Sequence, residues 1–195
     1  TLTVNAVTNA VVSTTGGTAI IGTSGTSTTQ SNINHGTTLT ITASAKAGYT
    51  FGGWFTSSAV SGTAAYEDAS TNVTLTADTT LYAKFTANTY AVTFAANSGT
   101  LTATNKLTNY AFTATYDVTY TISDYISAAS RSGYTFAGFK TGSTTFAALS
   151  DTFKNLSTGS DVTLTAQWTI ETYDVTLQAR YQSPKTTTTL NDLAN

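Results

Sequence analysis

Apolar and polar residues alternate with a period of two along much of this chain. In the segment 39–45, leucine, isoleucine and alanine fall on one parity, and threonine and serine fall on the other. The same alternation runs through 73–85, 90–96, 162–168 and 173–179. Successive side chains of a strand point to opposite faces, so this pattern predicts half-buried antiparallel strands. We therefore expect an all-β or β-rich fold of small antiparallel sheets.

One alternating segment, 110–122, is too long for an ordinary strand of about 5–6 residues. We expect the chain to break or bend there, near Thr115 to Asp117. Helix signals are few. The best candidate is Ser123 to Arg131, with Ser123 as a cap and Asp124 in the first turn. Phe146 to Leu156 is a weaker candidate, and we expect at most one short helix in each repeat.

Composition excludes several functional classes. Charged residues make up 9% of the chain and the net charge is −2, without a basic cluster that would favour nucleic-acid binding. No apolar run is long enough to span a membrane. The absence of cysteine excludes disulfides and thiolate metal sites. About a quarter of the residues are threonine, which suits the solvent face of a sheet without adding charge.

A nine-residue motif occurs twice. GYTFGGWFT begins at Gly48, and GYTFAGFKT begins at Gly133. Each copy precedes a threonine-rich alternating strand, which ends at Phe85 in the first case and at Trp168 in the second. Such internal repetition indicates a tandem array. We expect a first domain at 1–87, a second at 88–170, and at 171–195 the first strand of an incomplete third unit or an assembly strand.

The order of these motifs resembles the Listeria–Bacteroides repeat, also called the internalin B-repeat family. The matching elements are YAVTF from Tyr90, GYTFAGF from Gly133 and LTAQW ending at Trp168, and the first unit is similar to a divergent branch. Phe139 stands where the family usually has tryptophan. The resemblance implies a compact β-grasp-like unit. It also implies extracellular bacterial proteins of the cell surface, whose activities are spacing, adhesion and partner contact rather than catalysis.

The aromatic residues of the motif cannot all share one face of a regular strand, because Trp54 and Phe139 are out of parity with the rings before them. A bulge at Gly52–Gly53 and at Ala137–Gly138 would restore the register, since glycine accepts a positive φ. The interpretation is a repeat core; an aromatic platform for a sugar or peptide is the alternative. The predicted core motif consists of Gly48, Tyr49, Phe51, Trp54 and Phe85, and Gly133, Tyr134, Phe136, Phe139 and Trp168.

No residue pattern predicts catalysis, a metal or a cofactor. His35 is the only histidine, lies in a turn-like segment and has no counterpart in the second unit. Glu67 and Asp68 are the only adjacent acids, and no calcium-loop motif occurs. We therefore expect a protein that is not an enzyme.

The last alternating segment places Tyr173, Val175 and Leu177 on one face. It is either part of a longer array or, together with the opening TLTVNAV, a strand for exchange between subunits. Three hypotheses remain: a structural or adhesive surface array, a self-assembling filament or layer subunit, and a carbohydrate-binding module. The expected partners are other copies or neighbouring repeats, and a host or cell-surface glycan or protein. Nucleic acid and a membrane span are not expected.

Overall fold

The computed structural model describes residues 1–9, 11–22 and 27–177. Strands account for nearly all of the regular structure, and within these ranges the only helical turn is a 3₁₀ turn at Ile122–Asp124. The predicted β-rich class is therefore confirmed. Buried apolar side chains form one large cluster in the first unit and another in the second. A smaller cluster of Val7, Phe55 and Val60 lies beside the first.

The first unit contains two sheets. Its strands are β1 (Leu2–Thr8), β2 (Val11–Val12), β3 (Gly17–Ile21), β4 (Thr29–Gln30), β5 (Thr38–Ala45), β6 (Tyr49–Phe55), β7 (Ser70–Thr74) and β8 (Thr79–Ala87). One sheet has the order β2-β1-β8-β6, with β4 pairing with the other end of β1. The second sheet has the order β3-β5-β7. The apolar residues of β1, β3, β5 and β8 face each other across the unit and form its core.

The second unit follows the same plan with different edges. Its strands are β9 (Thr89–Ala95), β10 (Thr100–Ala103), β11 (Ala111–Thr115), β12 (Tyr120–Thr121), β13 (Ile126–Ser130), β14 (Tyr134–Thr141), β15 (Thr144–Phe146), β16 (Thr152–Phe153) and β17 (Val162–Ile170). The main sheet has the order β11-β9-β17-β14-β15. Strand β10 pairs with β13, and β12 pairs with β16.

The central pair of each main sheet is parallel, which differs from the antiparallel sheets expected from the alternation. Strand β1 runs parallel to β8, and β9 runs parallel to β17. In both units the first strand therefore lies beside the last one, although most of the unit's chain separates them in sequence. Alternation shows that a strand is half buried, but it does not show which distant strand lies beside it. The remaining pairings are antiparallel.

The predicted bulges are confirmed. Between β6 and β8 the register shifts from Phe51 to Trp54, and between β14 and β17 it shifts from Phe136 to Phe139. The glycine at each shift has a positive φ, 110° at Gly53 and 101° at Gly138. A Cβ at Gly138 would collide with the carbonyl oxygen of Phe146. The extra residue turns the last aromatic side chain back towards the core.

Both helix predictions were wrong. Residues 126–130 of the segment Ser123–Arg131 form β13, which pairs with β10, and only the 3₁₀ turn precedes it. Ile126 is fully buried on this strand, so pairing and burial outweigh the weak capping signal at Ser123. The segment Phe146–Leu156 is a turn followed by β16. The predicted break is confirmed, because β11 ends at Thr115 and Asp117 adopts φ 64°.

Candidate functional site

The motif of the first unit lies in its core. Trp54 is 0% exposed, and the rings of Phe51 and Trp54 meet edge to face at 5.9 Å between centroids. Phe51 also packs against Phe85, with 6.0 Å between the ring centroids. Tyr49 is buried at the start of the same strand. A ligand would have to open the unit before it could reach the Trp54 ring, so this ring offers no platform for a sugar.

The motif of the second unit has the same arrangement except at its first aromatic residue. Phe139 is fully buried, and Phe136 packs between Phe139 and Trp168, with 5.3 Å and 5.5 Å between ring centroids. Tyr134 instead lies half-buried outside the core cluster, with the guanidinium of Arg131 3.8 Å from its ring centroid. Gly133 before it is exposed.

Each unit has one tryptophan in its own ring cluster, but on a different strand. The first unit has Trp54 on β6 and Phe85 on β8, whereas the second has Phe139 on β14 and Trp168 on β17. Each indole N–H finds a backbone acceptor: Trp54 Nε1 donates to Asp68 O at 3.2 Å, and Trp168 Nε1 donates to Ala96 O at 3.0 Å. These bonds satisfy a polar group that would otherwise be costly to bury.

The start of the first motif also forms the contact between the two units. The backbone N–H of Asn88 donates to Gly48 O at 2.8 Å, and Asn88 O accepts from the N–H of Tyr116 at 2.8 Å. Thr50 Oγ1 donates to Asn88 Oδ1 at 2.6 Å, and Asn88 Nδ2 donates to Thr158 O at 2.7 Å. Asn88 therefore connects the last strand of one unit to two loops of the next.

The ring of Tyr116 covers Gly48. A Cβ at Gly48 would stand 2.5 Å from three atoms of this ring, so only glycine permits the contact. Gly48 also has φ 82°, a conformation that side chains with a Cβ disfavour. The Tyr116 ring meets the ring of Tyr49 edge to face at 5.6 Å between centroids. The junction is thus closely packed as well as hydrogen-bonded.

A charged network completes the junction. Tyr49 Oη donates to Asp117 Oδ2 at 2.5 Å, and Asn155 Nδ2 donates to Asp117 Oδ1 at 2.9 Å. Lys154 Nζ lies 3.0 Å from the same carboxylate, while the backbone N–H of Asp117 donates to Asn155 Oδ1 at 2.6 Å. We call Tyr49, Asp117, Lys154 and Asn155 the junction network.

The junction network shifts the pKa of both groups that it joins. Burial raises the pKa of Tyr49 to about 12, and the hydrogen bond to the Asp117 carboxylate adds to this effect. The hydrogen bonds from Tyr49, Asn155 and Lys154 lower the pKa of Asp117 from 3.8 to about 2. The network therefore favours a neutral phenol and an ionised carboxylate.

Sequence reasoning identified Tyr49 and Gly48 as core residues but missed their partners across the junction. Asp117, Lys154 and Asn155 carry no motif and lie far along the chain from Tyr49. The available signal was the predicted break at 115–117, because a Tyr-Asp pair at a turn presents a ring and a carboxylate together. The pattern could not show which surface that turn would meet.

The other polar candidates form no buried site. His35, Glu67 and Asp68 are exposed. Within residues 1–9, 11–22 and 27–177, no group of three or more His, Cys, Asp or Glu side chains could hold a metal ion. These same residues contain no helix that is long and apolar enough to cross a membrane.

The described residues include two further apolar features, a groove in the first unit and the chain segment after β17. An open groove of about 610 Å³ in the first unit is lined mainly by apolar atoms of β1 and β3 and the chain around them: Val4, Ala6, Val12, Ala19 and Ile20. The strand predicted from the alternation at 173–179 is wrong over its described part, because residues 171–177 form no strand. Tyr173, Val175 and Leu177 are 78%, 83% and 91% exposed. The opening strand β1, in contrast, already pairs with β8 along its length. The rest of the segment 171–195 lies outside the described residues.

Comparison with known proteins finds one family. The model of the Listeria-Bacteroides repeat domain matches residues 15–84 and again residues 90–167. The two matched ranges cover both motifs and most of the strands described above. No curated protein and no solved structure matches the chain.

Proposed function

Because the chain belongs to the Listeria-Bacteroides repeat family, we propose that it is a non-catalytic structural or adhesive repeat protein of a bacterial cell surface. Family membership is consistent with a surface or extracellular repeat protein, and the finer assignment rests on what the two units share. They share a glycine-aromatic strand start, a bulge and a ring cluster. Their exposed polar residues differ, as His35 illustrates. The features that the two copies share are therefore those that fold each unit, rather than a set of reactive side chains.

The surface chemistry supports the same proposal. On β5 and β7, Thr38 Oγ1 and Thr74 Oγ1 lie 2.8 Å apart, and Thr40 Oγ1 donates to Asn72 Oδ1 at 2.8 Å. Cross-strand hydroxyl pairs of this kind stabilise a sheet and hydrate its outer face. Since they carry no charge, they make the exposed sheet insensitive to salt.

Protease treatment of intact cells that produce the protein tests the location. We expect the chain to be removed from the cells while a cytosolic marker protein stays intact. Adhesion is then measured with the purified chain immobilised as a layer, against cells and extracellular-matrix proteins. A chain that resists protease until the cells are lysed would contradict the surface assignment.

The exposed apolar side chains of residues 173–177 favour a second candidate, a subunit that assembles by exchanging this strand with another copy. An exposed segment with alternating apolar residues can pair with the edge of another sheet. We expect filaments or higher oligomers in electron microscopy and size-exclusion chromatography of the full chain. Replacement of Val175 and Leu177 by serine should abolish them, with Val12→Ser as a control for an exposed valine elsewhere. A persistent monomer at high concentration would eliminate this candidate.

A further inference from the structure

The end of the second unit has the same hydrogen bonds as the end of the first. Across the sheet, Tyr49 pairs with Ala87 and Tyr134 pairs with Ile170, so Asn88 and Glu171 occupy corresponding positions. Glu171 N donates to Gly133 O at 3.0 Å, just as Asn88 N donates to Gly48 O. The pairing of Thr50 with Asn88 also has a counterpart, since Thr135 Oγ1 donates to a carboxylate oxygen of Glu171 at 3.4 Å. The backbone arrangement that contacts the second unit at Gly48 and Asn88 therefore occurs again at Gly133 and Glu171.

The two surfaces differ in what covers them. Gly48 is buried under the Tyr116 ring, whereas a Cβ at Gly133 would meet nothing within 4 Å. Gly133 nevertheless has φ 74°, close to the 82° of Gly48. Tyr134 stands at the strand position that corresponds to that of Tyr49. The backbone conformation required for the contact is thus retained at Gly133, where no ring of the described residues covers it.

We propose that Gly133, Tyr134, Thr135 and Glu171 form a docking surface for a further repeat of the same family. The docked repeat would present an aromatic residue followed by aspartate at the turn that Tyr116 and Asp117 form in the second unit. This proposal rests on the repeat-array function proposed above and specifies how successive units join.

The first unit of another copy does not fit this surface as well. Its turn after β4 corresponds to the turn after β11, because both strands pair with the outer edge of the parallel pair. Asn32 has φ 58° there, close to the 64° of Asp117. The residues at that turn are Ser31 and Asn32, which supply neither a ring for Gly133 nor a carboxylate for Tyr134. The surface therefore fits a unit that resembles the second repeat.

Two local differences define how the second contact departs from the first. Asn88 donates a side-chain N–H to Thr158 O, but a Glu171 carboxylate can only accept. A docked unit with a carbonyl at the place of Thr158 would lack this side-chain bond, and a docked unit with a donor there would restore it. Arg131 lies over the Tyr134 ring and must share or leave that position when the aromatic residue of the docked unit arrives.

A full chain in which residues 89–171 are duplicated in tandem tests the proposal. Its middle unit carries the docking surface in front of a third unit, while its last unit keeps the same surface uncovered as an internal control. The readout is the NMR shift of the glycine Hα protons, because a ring placed on Gly48 moves its Hα signals upfield. We expect one Gly133 to show an upfield shift like that of Gly48 and the other to match the parent chain.

Two variants complete the design. Tyr116→Ala in the third unit should return the shifted Gly133 signal to its parent position while the Gly48 signal stays unchanged. Glu171→Asn in the middle unit rebuilds the first junction and should give an upfield shift at least as large. The proposal is overturned if both Gly133 residues keep the parent shift while the third Trp168 indole signal shows a folded unit. It is also overturned if the third unit fails to fold both with the native Glu171 and with the Glu171→Asn substitution.

These outcomes are independent of the surface function. A shifted Gly133 in a protein that resists protease on intact cells would uphold the docking surface and reject the cell-surface assignment. An unshifted Gly133 in a protease-accessible protein would uphold the cell-surface assignment and overturn the docking surface between the second and third units.

Discussion

The first unit buries the start of its motif against the second unit, whereas the second unit leaves the same start uncovered. Tyr49 is 8% exposed and bonds to Asp117, while Tyr134 lies half-buried under Arg131. Behind this difference, both units bury an equivalent ring at the bulge: Trp54 and Phe139 are each 0% exposed. The motif therefore has two separable parts, an aromatic core that folds each unit and a glycine-tyrosine pair that contacts the next one.

The largest effect is expected when the common core is broken. Trp54→Ala and Phe139→Ala should each lower the free energy of unfolding of their own unit by about 3–5 kcal/mol, because each leaves a cavity among packed rings. Urea unfolding measures the loss, with Trp168 fluorescence reporting on the second unit. Similar losses in both units would support a common core role, and a loss below about 1 kcal/mol in either would contradict it.

Alanine substitutions at Gly48 and Gly133 distinguish the cost of backbone strain from the cost of disturbing the contact between units. Gly48→Ala and Gly133→Ala both place a Cβ on a residue with positive φ, at a cost of about 1–2 kcal/mol. Gly48→Ala also forces a methyl group into the Tyr116 ring, for which overpacking adds about 1–3 kcal/mol. We expect the larger loss of stability at Gly48 in matched urea titrations. Equal losses would mean that Tyr116 moves aside freely.

Removal of one hydroxyl tests the junction network without changing the packing. Tyr49→Phe deletes the hydrogen bond to the Asp117 carboxylate, and bonds to charged groups contribute about 1.5–3 kcal/mol. Tyr134→Phe is the matched control and should change stability by less than about 0.5 kcal/mol in the present chain. Thermal unfolding of the two variants beside the parent gives the comparison. An equal response at the two tyrosines would show that Asp117 contributes little to stability.

The smallest expected effect is the response of the junction to acid. The pKa of Asp117 is lowered from 3.8 to about 2, so its contribution is complete above pH 4 and disappears as the pH falls towards 2. Solvent screens the partly exposed carboxylate and reduces the size of this effect. NMR signals around Tyr116 should broaden or shift over this interval in the parent. Asp117→Asn should remove that dependence, and a transition that persists in this variant would have another cause.

Tyr49 provides the alkaline counterpart of this test. Its pKa is raised to about 12, so the junction is complete below pH 10 and loses the Tyr49 hydrogen bond only as the pH rises through 12. The parent junction should therefore tolerate mild alkali, which the same NMR signals report. Loss of these signals near pH 9 would contradict the buried, bonded state of the phenol.

Sequence alone predicted most of the long strands, the duplication, the bulges and the break near Asp117, because each depends on neighbours in the chain. Period-two alternation follows from the pleat, and the out-of-parity Trp54 and Phe139 required an extra residue beside a glycine. The segment Ser123–Arg131 was wrongly predicted to be a helix because the prediction used only signals from neighbouring residues. Its local signals suggested a cap, while the burial of Ile126 and its pairing with β10 come from residues distant in sequence.

Only the tertiary structure decided which strands are neighbours and which surfaces meet. The parallel pairing of first and last strands joins residues seventy or more positions apart, as between Val4 and Leu81. Asp117 reaches Tyr49 across 68 positions, and Gly48 finds the Tyr116 ring over a similar separation. No local pattern records such contacts, because they depend on how two folded units lie against each other. The sequence by itself determined the unit and its repetition, and the packing between units determined that its first glycine and tyrosine join one repeat to the next.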